Sequence, residues 1–358
     1  MAVCAALLLA PVLSGCTGSQ DRSDPSPSAS PSASPSASPS ASPSASPSAS
    51  PSATPAPSPR STRTPVPRVD PVSLPALFHR SYHGGDLRVR TVLARTSAYT
   101  SYSVSYRSDR LRISGKLDVP RGRGPFPAVV LAHGYIDPAV YVNGQGLRRE
   151  QDWLARAGYV VLHVDYRNHA FSSRVPTAER NLRLGYTVDV INAVKALRST
   201  DLAAVADDRI GLLGRSMGGA VVQNVLAVRP GLVKAGVVFA SVSSRTYDNV
   251  ERWINADSGD QGLAAQIRRD HGTPRTDPGF WRRVSPRTYF GRITEPVLLH
   301  HGTADSTCPP RWSRETLVAM RKAGVHARLF TYPGEEHAFI AQWPLSMRRT
   351  EAFLDRTL

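Results

Sequence analysis

Short, uninterrupted apolar runs recur through the C-terminal two thirds of the chain: "PAVVLAHG", "YVVLHVDY", "RIGLLG", "KAGVVFAS", "PVLLHHG" and "ARLFTY". A run of this length without polar alternation is the pattern of a strand covered on both faces. Between the runs lie segments with helical spacing, "GLRREQDWLARAG", "LRLGYTVDVINAVKALRS", "MGGAVVQNVLAV" and "RWSRETLVAMRKAG", and a last helix is predicted from about Pro344 to Arg356. Such alternation predicts an α/β domain with a mostly parallel sheet and helices on both faces. Ahead of it, "YTSYSVSYRS" and "LRISGKLDVP" alternate apolar and polar residues around Ser108-Asp109, as an antiparallel hairpin would. Chemistry is therefore expected at the carboxyl ends of the parallel strands.

One segment breaks the rhythm. Residues 243–292 are too many for a crossover loop and hold Tyr247, Trp253, Phe280, Trp281 and Tyr289 among many charges. They suit a helical cap over the site, or a set of extra helices whose aromatics are simply their own core.

The N-terminal part is of a different kind. From Pro27 to Pro55 a proline recurs every fourth residue in a Pro-Ser-Ala-Ser frame, a composition that cannot bury enough surface to offset its ordering. Residues 16–72 are thus expected to be a disordered spacer before a folded domain over residues 73–358. Ahead of the spacer, Ala5 to Leu13 form an apolar core of signal-peptide length, although no Lys or Arg precedes it. It runs into Leu13-Ser14-Gly15-Cys16, which resembles a bacterial lipoprotein signal. The resemblance implies removal of residues 1–15, lipid on Cys16 and an extracytoplasmic protein anchored to the cell membrane. An ordinary secretory signal with an incidental cysteine is the alternative.

Of the three cysteines, Cys4 would leave with the signal and Cys16 would carry lipid, so only Cys308 belongs to the folded part. Neither a disulfide framework nor a Cys-based metal site is expected, and no metal-binding motif is present. The formal charge of +16 is spread along the chain beside acidic residues rather than gathered into a stripe. That distribution argues against a nucleic-acid partner and for a solvated surface near anionic lipid or polymer. No phosphate or dinucleotide fingerprint occurs, so no cofactor is predicted.

The chemistry is concentrated in Gly214-Arg215-Ser216-Met217-Gly218-Gly219, where a strand meets a helix. A Gly-x-Ser-x-Gly in that setting is a nucleophile elbow: the turn is so tight that side chains at the two glycines would collide with strand and helix. A serine hydroxyl needs a base, and the base needs an orienting acid. Asp305 follows "PVLLHHG" and His337 follows "ARLFTY", in the order and at the strand ends this architecture requires. The oxyanion would meet the amides of Met217 and Tyr135, with the Tyr135 phenol as a third donor. His133 is expected to brace the Tyr135 loop. His163 inside a strand, His79 and His83 ahead of the sheet and His326 at a strand start fit a catalytic role worse than His337, and His300 and His301, before the acid loop, are predicted to be structural.

Together, His133-Gly134-Tyr135, Gly214-x-Ser216-x-Gly218, His301-Gly302-x-x-Asp305 and His337 resemble the α/β-hydrolase superfamily, and within it the catalytic domain of the prolyl oligopeptidase family. The similarity runs from about Ser103 to the C-terminus. It implies an α/β-hydrolase fold and hydrolysis of esters or peptides through an acyl-enzyme, with Ser216, His337 and Asp305 as the triad. Large peptidases of that family carry a β-propeller where this chain has its spacer, which turns the expectation toward small carboxylic esters. A peptidase of small peptides or amides is the second expectation, and an inactive relative serving as a cell-surface binding module is the third. Cys308 stands where relatives tend to have an aliphatic residue and is expected to act as a small apolar group.

Overall fold

A computed structural model describes residues 69–255 and 261–358. The predicted signal, Cys16 and nearly all of the spacer lie outside the described residues. The chain enters through a short helix α1 (Leu74–Phe78), whose N-cap Ser73 accepts a hydrogen bond from the Ala76 amide. Three strands follow in antiparallel order, β1 (Gly84–Arg95), β2 (Tyr99–Ser108) and β3 (Leu111–Pro120). Then come β4 (Phe126–Ala132), α2 (Arg148–Arg156), β5 (Val160–Val164), α3 (Leu184–Arg198), β6 (Val205–Arg215), α4 (Met217–Val228) and β7 (Ala235–Phe239).

After β7 the cap comprises α5 (Thr246–Val250), a π-helical turn (Glu251–Asn255), α6 (Gln261–His271), α7 (Pro278–Arg283) and a 3-10 stretch (Pro286–Arg292). The chain then returns through β8 (Val297–Gly302), α8 (Pro310–Lys322), β9 (Ala327–Tyr332) and α9 (Trp343–Thr357). None of the helices among the described residues is long and apolar enough to cross a membrane.

The strands form one sheet in the order β1-β2-β3-β5-β4-β6-β7-β8-β9. Pairing is antiparallel up to the β3–β5 contact and parallel from β5 through β9. Alternation along the central strands explains their continuous hydrophobicity. Ala128, Val130 and Ala132 of β4 point into the core shared with α1, α3, α4 and α8, while Val129 and Leu131 point to the core shared with α2 and α9. Both faces are covered, as the sequence predicts.

Two features depart from the predicted elements. Strand β1 was not predicted, because its period-2 signal is broken: the pairing with β2 shifts register after Gly85, Val89 and Val92, and most of its residues are exposed at the sheet edge. Strand β6 also starts earlier than "RIGLLG", through the exposed Asp207 and Asp208.

The cap aromatics divide between the two predicted roles. Phe280 and Trp281 are buried in the cap itself, Phe280 stacked on His271 at 4.2 Å and Trp281 edge-on to Tyr247 at 4.7 Å. Trp253 instead lines the cavity beside Ser216 and meets Trp312 at 5.7 Å. Charged groups tie the cap down, with Asp270 of α6 paired to Arg180 at 2.6 Å and Arg252 donating to the carbonyls of Thr307 (2.7 Å) and Ser306.

Candidate active site

Ser216 is the hinge between β6 and α4, with φ 56° and ψ −122°. A non-glycine residue in that region is strained and is held there only when its surroundings overdetermine it. Here they do. The Ser216 amide donates to Phe239 O (2.9 Å), and its carbonyl accepts from Gly219 N (2.9 Å) and Val242 N (3.3 Å). A Cβ on Gly214 would overlap the carbonyl of Gly218, and one on Gly218 would overlap the carbonyl of Ala132. These glycines are required by close backbone approach rather than by φ, as the motif predicts.

Asp305 and His337 follow β8 and β9, and the parallel register carries both to the edge where β6 delivers Ser216. His337 Nδ1 donates to Asp305 Oδ2 at 2.8 Å. The other oxygen, Oδ1, accepts from the amides of Thr307 (3.0 Å) and Cys308 (2.8 Å). Burial by itself would raise the Asp305 pKa, but hydrogen bonds from His301, His337 and the Cys308 amide outweigh it and hold the carboxyl below the usual carboxylate range. Asp305 is therefore an anion at neutral pH, as an orienting group must be. His337 is half-buried, and it shares with Ser216 the wall of one cavity. The Ser216 hydroxyl has its nearest side-chain partner in Cys308 Sγ at 3.8 Å and makes no hydrogen bond with His337 in this structure. A side-chain rotation would have to bring the two together.

The amide side of the site is built on β4 and α4. Met217 is the first residue of α4, so its N–H has no acceptor within the helix. Across from it, a Cβ on Gly134 would lie 3.2 Å from the Ser216 Cβ, which brings the Gly134-Tyr135 peptide against Ser216. His133 controls that peptide. Its ring is fully buried, and burial pushes its pKa down to about 3, so it is neutral with one proton to place. Both ring nitrogens face carbonyl oxygens, Nδ1 that of Gly134 at 2.6 Å and Nε2 that of Asp165 at 3.4 Å, and the shorter contact assigns the proton to Nδ1. Because the peptide is planar and trans, fixing Gly134 C=O fixes Tyr135 N–H in the opposite direction. The Tyr135 ring itself is exposed on the cavity wall beneath the Arg183 guanidinium, 4.5 Å away.

The cavity has a volume of about 1200 Å³. Its apolar lining includes Val221 of α4 and Val250, Ile254, Leu263 and Val284 of the cap, and its polar lining includes Asp137, Asn168, Arg174, Glu179 and Arg183. Cys308 is fully buried, with its Sγ 3.8 Å from the Ser216 hydroxyl. Burial, seconded by the charge of Asp305, pushes its thiol up to about 12, so it is protonated and apolar in character, as predicted.

This arrangement can be set beside known proteins. Residues 145–358 match the model of the prolyl oligopeptidase family. The chain belongs to that family. Membership puts it among serine hydrolases. Curated relatives include the uncharacterized peptidase YuxL of Bacillus subtilis, 26% identical over 64% of this chain, and dipeptidyl aminopeptidase BIII of Pseudoxanthomonas mexicana, 25% identical over 67% of it. The matches span 34% and 33% of those proteins, so the chain covers about a third of their length. An acetyl xylan esterase from Paenibacillus sp. R4 has the same fold, with a TM-score of 0.58 at 20% identity over 80% of this chain and 92% of the esterase. Pyrococcus horikoshii acylaminoacyl peptidase aligns with a TM-score of 0.57 at 21% identity, over 74% of this chain and 42% of that one.

In this member of the family, two residues at the site were not predicted. Arg215, the variable residue of the Gly-x-Ser motif, is buried and turns away from the cavity to pair with Glu150 of α2. Glu150 also accepts from Trp343 Nε1 (2.9 Å), while Arg215 and Arg149 both donate to Ala338 O, next to His337, at 3.4 and 2.6 Å. The pair therefore ties the elbow to the loop of the histidine. Removing one partner of a buried ion pair leaves the other uncompensated, so Arg215→Ala is expected to cost about 3–5 kcal/mol in urea unfolding. A change below about 1 kcal/mol would show that the pair does not anchor the loop. His301 is the second unpredicted residue. It is buried in β8, as expected of a structural histidine, but its Nε2 lies 3.2 Å from Asp305 Oδ2.

Proposed function

We propose that this chain hydrolyses carboxylic esters through an acyl-enzyme on Ser216. His337 Nε2 takes the Ser216 proton as Oγ attacks the carbonyl carbon, and Asp305 holds the Nδ1–H and stabilises the imidazolium that forms. The amides of Met217 and Tyr135 receive the oxyanion. The protonated imidazole then gives its proton to the departing alkoxide, and water repeats the sequence to free the acid and Ser216. The observation that carries this reading is the 2.8 Å Asp305–His337 contact beside a strained Ser216 on one cavity wall.

The apolar lining suits an apolar acyl group of a small substrate, and an ester has the less demanding leaving group; of the carboxylates among the described lining residues, Asp137 accepts from the Ala139 amide at 2.9 Å. Glu179 is occupied by Arg183 at 2.5 Å, and Tyr186 also donates to it. Hydrolysis of small peptides or amides is the second reading, favoured by peptidases among the sequence relatives. Turnover of p-nitrophenyl esters against peptide p-nitroanilides separates the two. The first reading expects a much larger kcat/KM for the esters, and a preference for anilides would replace it with the second. Absence of turnover on either class would favour an inactive binding relative.

We further propose that Cys16 carries the lipid that anchors the protein outside the cytoplasm. Cys16→Ala should then move the protein from the membrane to the soluble fraction. An unchanged distribution would contradict the anchor.

A further inference from the structure

Asp305 Oδ2 serves two imidazoles. His337 Nδ1 approaches it at 2.8 Å from the cavity, and His301 Nε2 approaches it at 3.2 Å from inside the sheet. The His301 ring is completely buried and its tautomer is fixed from behind. Its Nδ1 lies 2.6 Å from Ser313 Oγ on α8, and its Nε2 lies 2.8 Å from the carbonyl oxygen of Cys308. A carbonyl only accepts, so Nε2 carries the proton and divides it between Cys308 O and Asp305 Oδ2. Nδ1 then accepts the hydroxyl proton of Ser313, itself buried. A chain of donors thus runs from Ser313 through His301 to the carboxylate.

We propose that His301, held in its Nε2–H form by the Cys308 carbonyl and polarised by Ser313, is a positioning residue that shares the Asp305 carboxylate with His337 and thereby sets the basicity of His337. The proposal rests on the triad reading given above. Two consequences follow from the geometry. The carboxylate is pinned at all four of its contacts, two backbone amides on Oδ1 and two imidazoles on Oδ2, so it cannot rotate when His337 takes up a proton. Second, each donor on Oδ2 draws off part of the negative charge that would otherwise stabilise the His337 imidazolium. The other polar or charged groups facing the cluster are the Cys308 thiol, Arg252 of the cap on the acid loop, and Arg215 behind the elbow, whose field reaches Asp305. None of them donates to Oδ2. Losing the His301 donor concentrates the carboxylate charge on His337, so imidazolium persists to higher pH.

The test is the pH dependence of kcat/KM for a p-nitrophenyl ester, measured on the whole chain as wild type, His301→Ala, His301→Gln, Ser313→Ala and Ser216→Ala. His301→Ala should lower kcat/KM by about tenfold, the loss of one hydrogen bond to a charged group, and should move the acid limb upward by a few tenths of a pH unit or more. Gln reaches the same place with a neutral N–H, so His301→Gln should bring the limb back to the wild-type position. Ser313→Ala removes the hydroxyl donor to Nδ1 that polarises the Nε2–H, without opening a large cavity, and should move the limb in the same direction by less, which keeps the test decisive if His301→Ala does not fold. An acid limb unchanged in His301→Ala, or unchanged in Ser313→Ala where His301→Ala does not fold, overturns the proposal, provided Ser216→Ala is dead. Turnover persisting in Ser216→Ala would instead overturn the triad reading itself.

Discussion

Ser216→Ala is expected to lower kcat for ester hydrolysis by about 10⁴-fold or more, with the fold intact. Ala keeps the Cβ that the elbow already accommodates, the backbone bond to Phe239 O and the bond from Gly219 N, so thermal unfolding should be nearly unchanged. What disappears is the only hydroxyl that the elbow presents, and neither neighbouring group replaces it. Cys308 Sγ is 3.8 Å away, yet its thiol is held protonated by burial, and His337 would face an empty position. Residual turnover should be that of the amides and the cavity alone. Activity within tenfold of wild type would mean that another residue is the nucleophile.

Asp305→Asn is expected to lower kcat by a similar factor, about 10⁴, for a different reason. All four contacts to the carboxylate are donors: the amides of Thr307 and Cys308 on one oxygen, and the imidazoles of His337 and His301 on the other. An amide side chain offers one acceptor and one donor group, so one edge must turn N–H against N–H. If the oxygen stays with the backbone amides, the NH₂ faces the imidazoles and drives His337 into the tautomer that cannot accept from Ser216. The substitution also alters acid stability. Asp305 titrates in the native state below the ordinary carboxylate value, so its stabilising contribution is complete above about pH 4 and is lost as pH falls toward the native pKa. The Asn variant lacks that contribution, and its unfolding free energy should depend less on pH across the acid range. Retained kcat with an unchanged acid profile would contradict the assigned role.

The elements at the site were legible because their physical demands are local. Continuous apolar runs mark strands covered twice, and Gly214 and Gly218 are dictated by backbone overlap inside a single turn. Asp305 and His337 could be picked out because a parallel sheet delivers chain order to one edge. Strand β1 was not legible, since its bulges erase the period-2 pattern that marks a half-buried strand. Arg215 and His301 were missed for another reason. Each acts through partners distant in sequence, Arg215 through Glu150 and Ala338 and His301 through Ser313, and no spacing in one strand announces such contacts. In retrospect the i, i+4 step from His301 to Asp305 was a signal, because the sharp turn after β8 folds the acid back onto the strand that precedes it. The cap aromatics were ambiguous for the same reason, and only packing separates Phe280 and Trp281 from Trp253.

The central claim is that Ser216 becomes the covalent acyl carrier, and labelling with a fluorophosphonate followed by peptide mass mapping tests it most directly. The mechanism predicts one modified residue, Ser216, with labelling abolished in Ser216→Ala and strongly slowed in Asp305→Asn. A label on any other residue, or none on active protein, would contradict it.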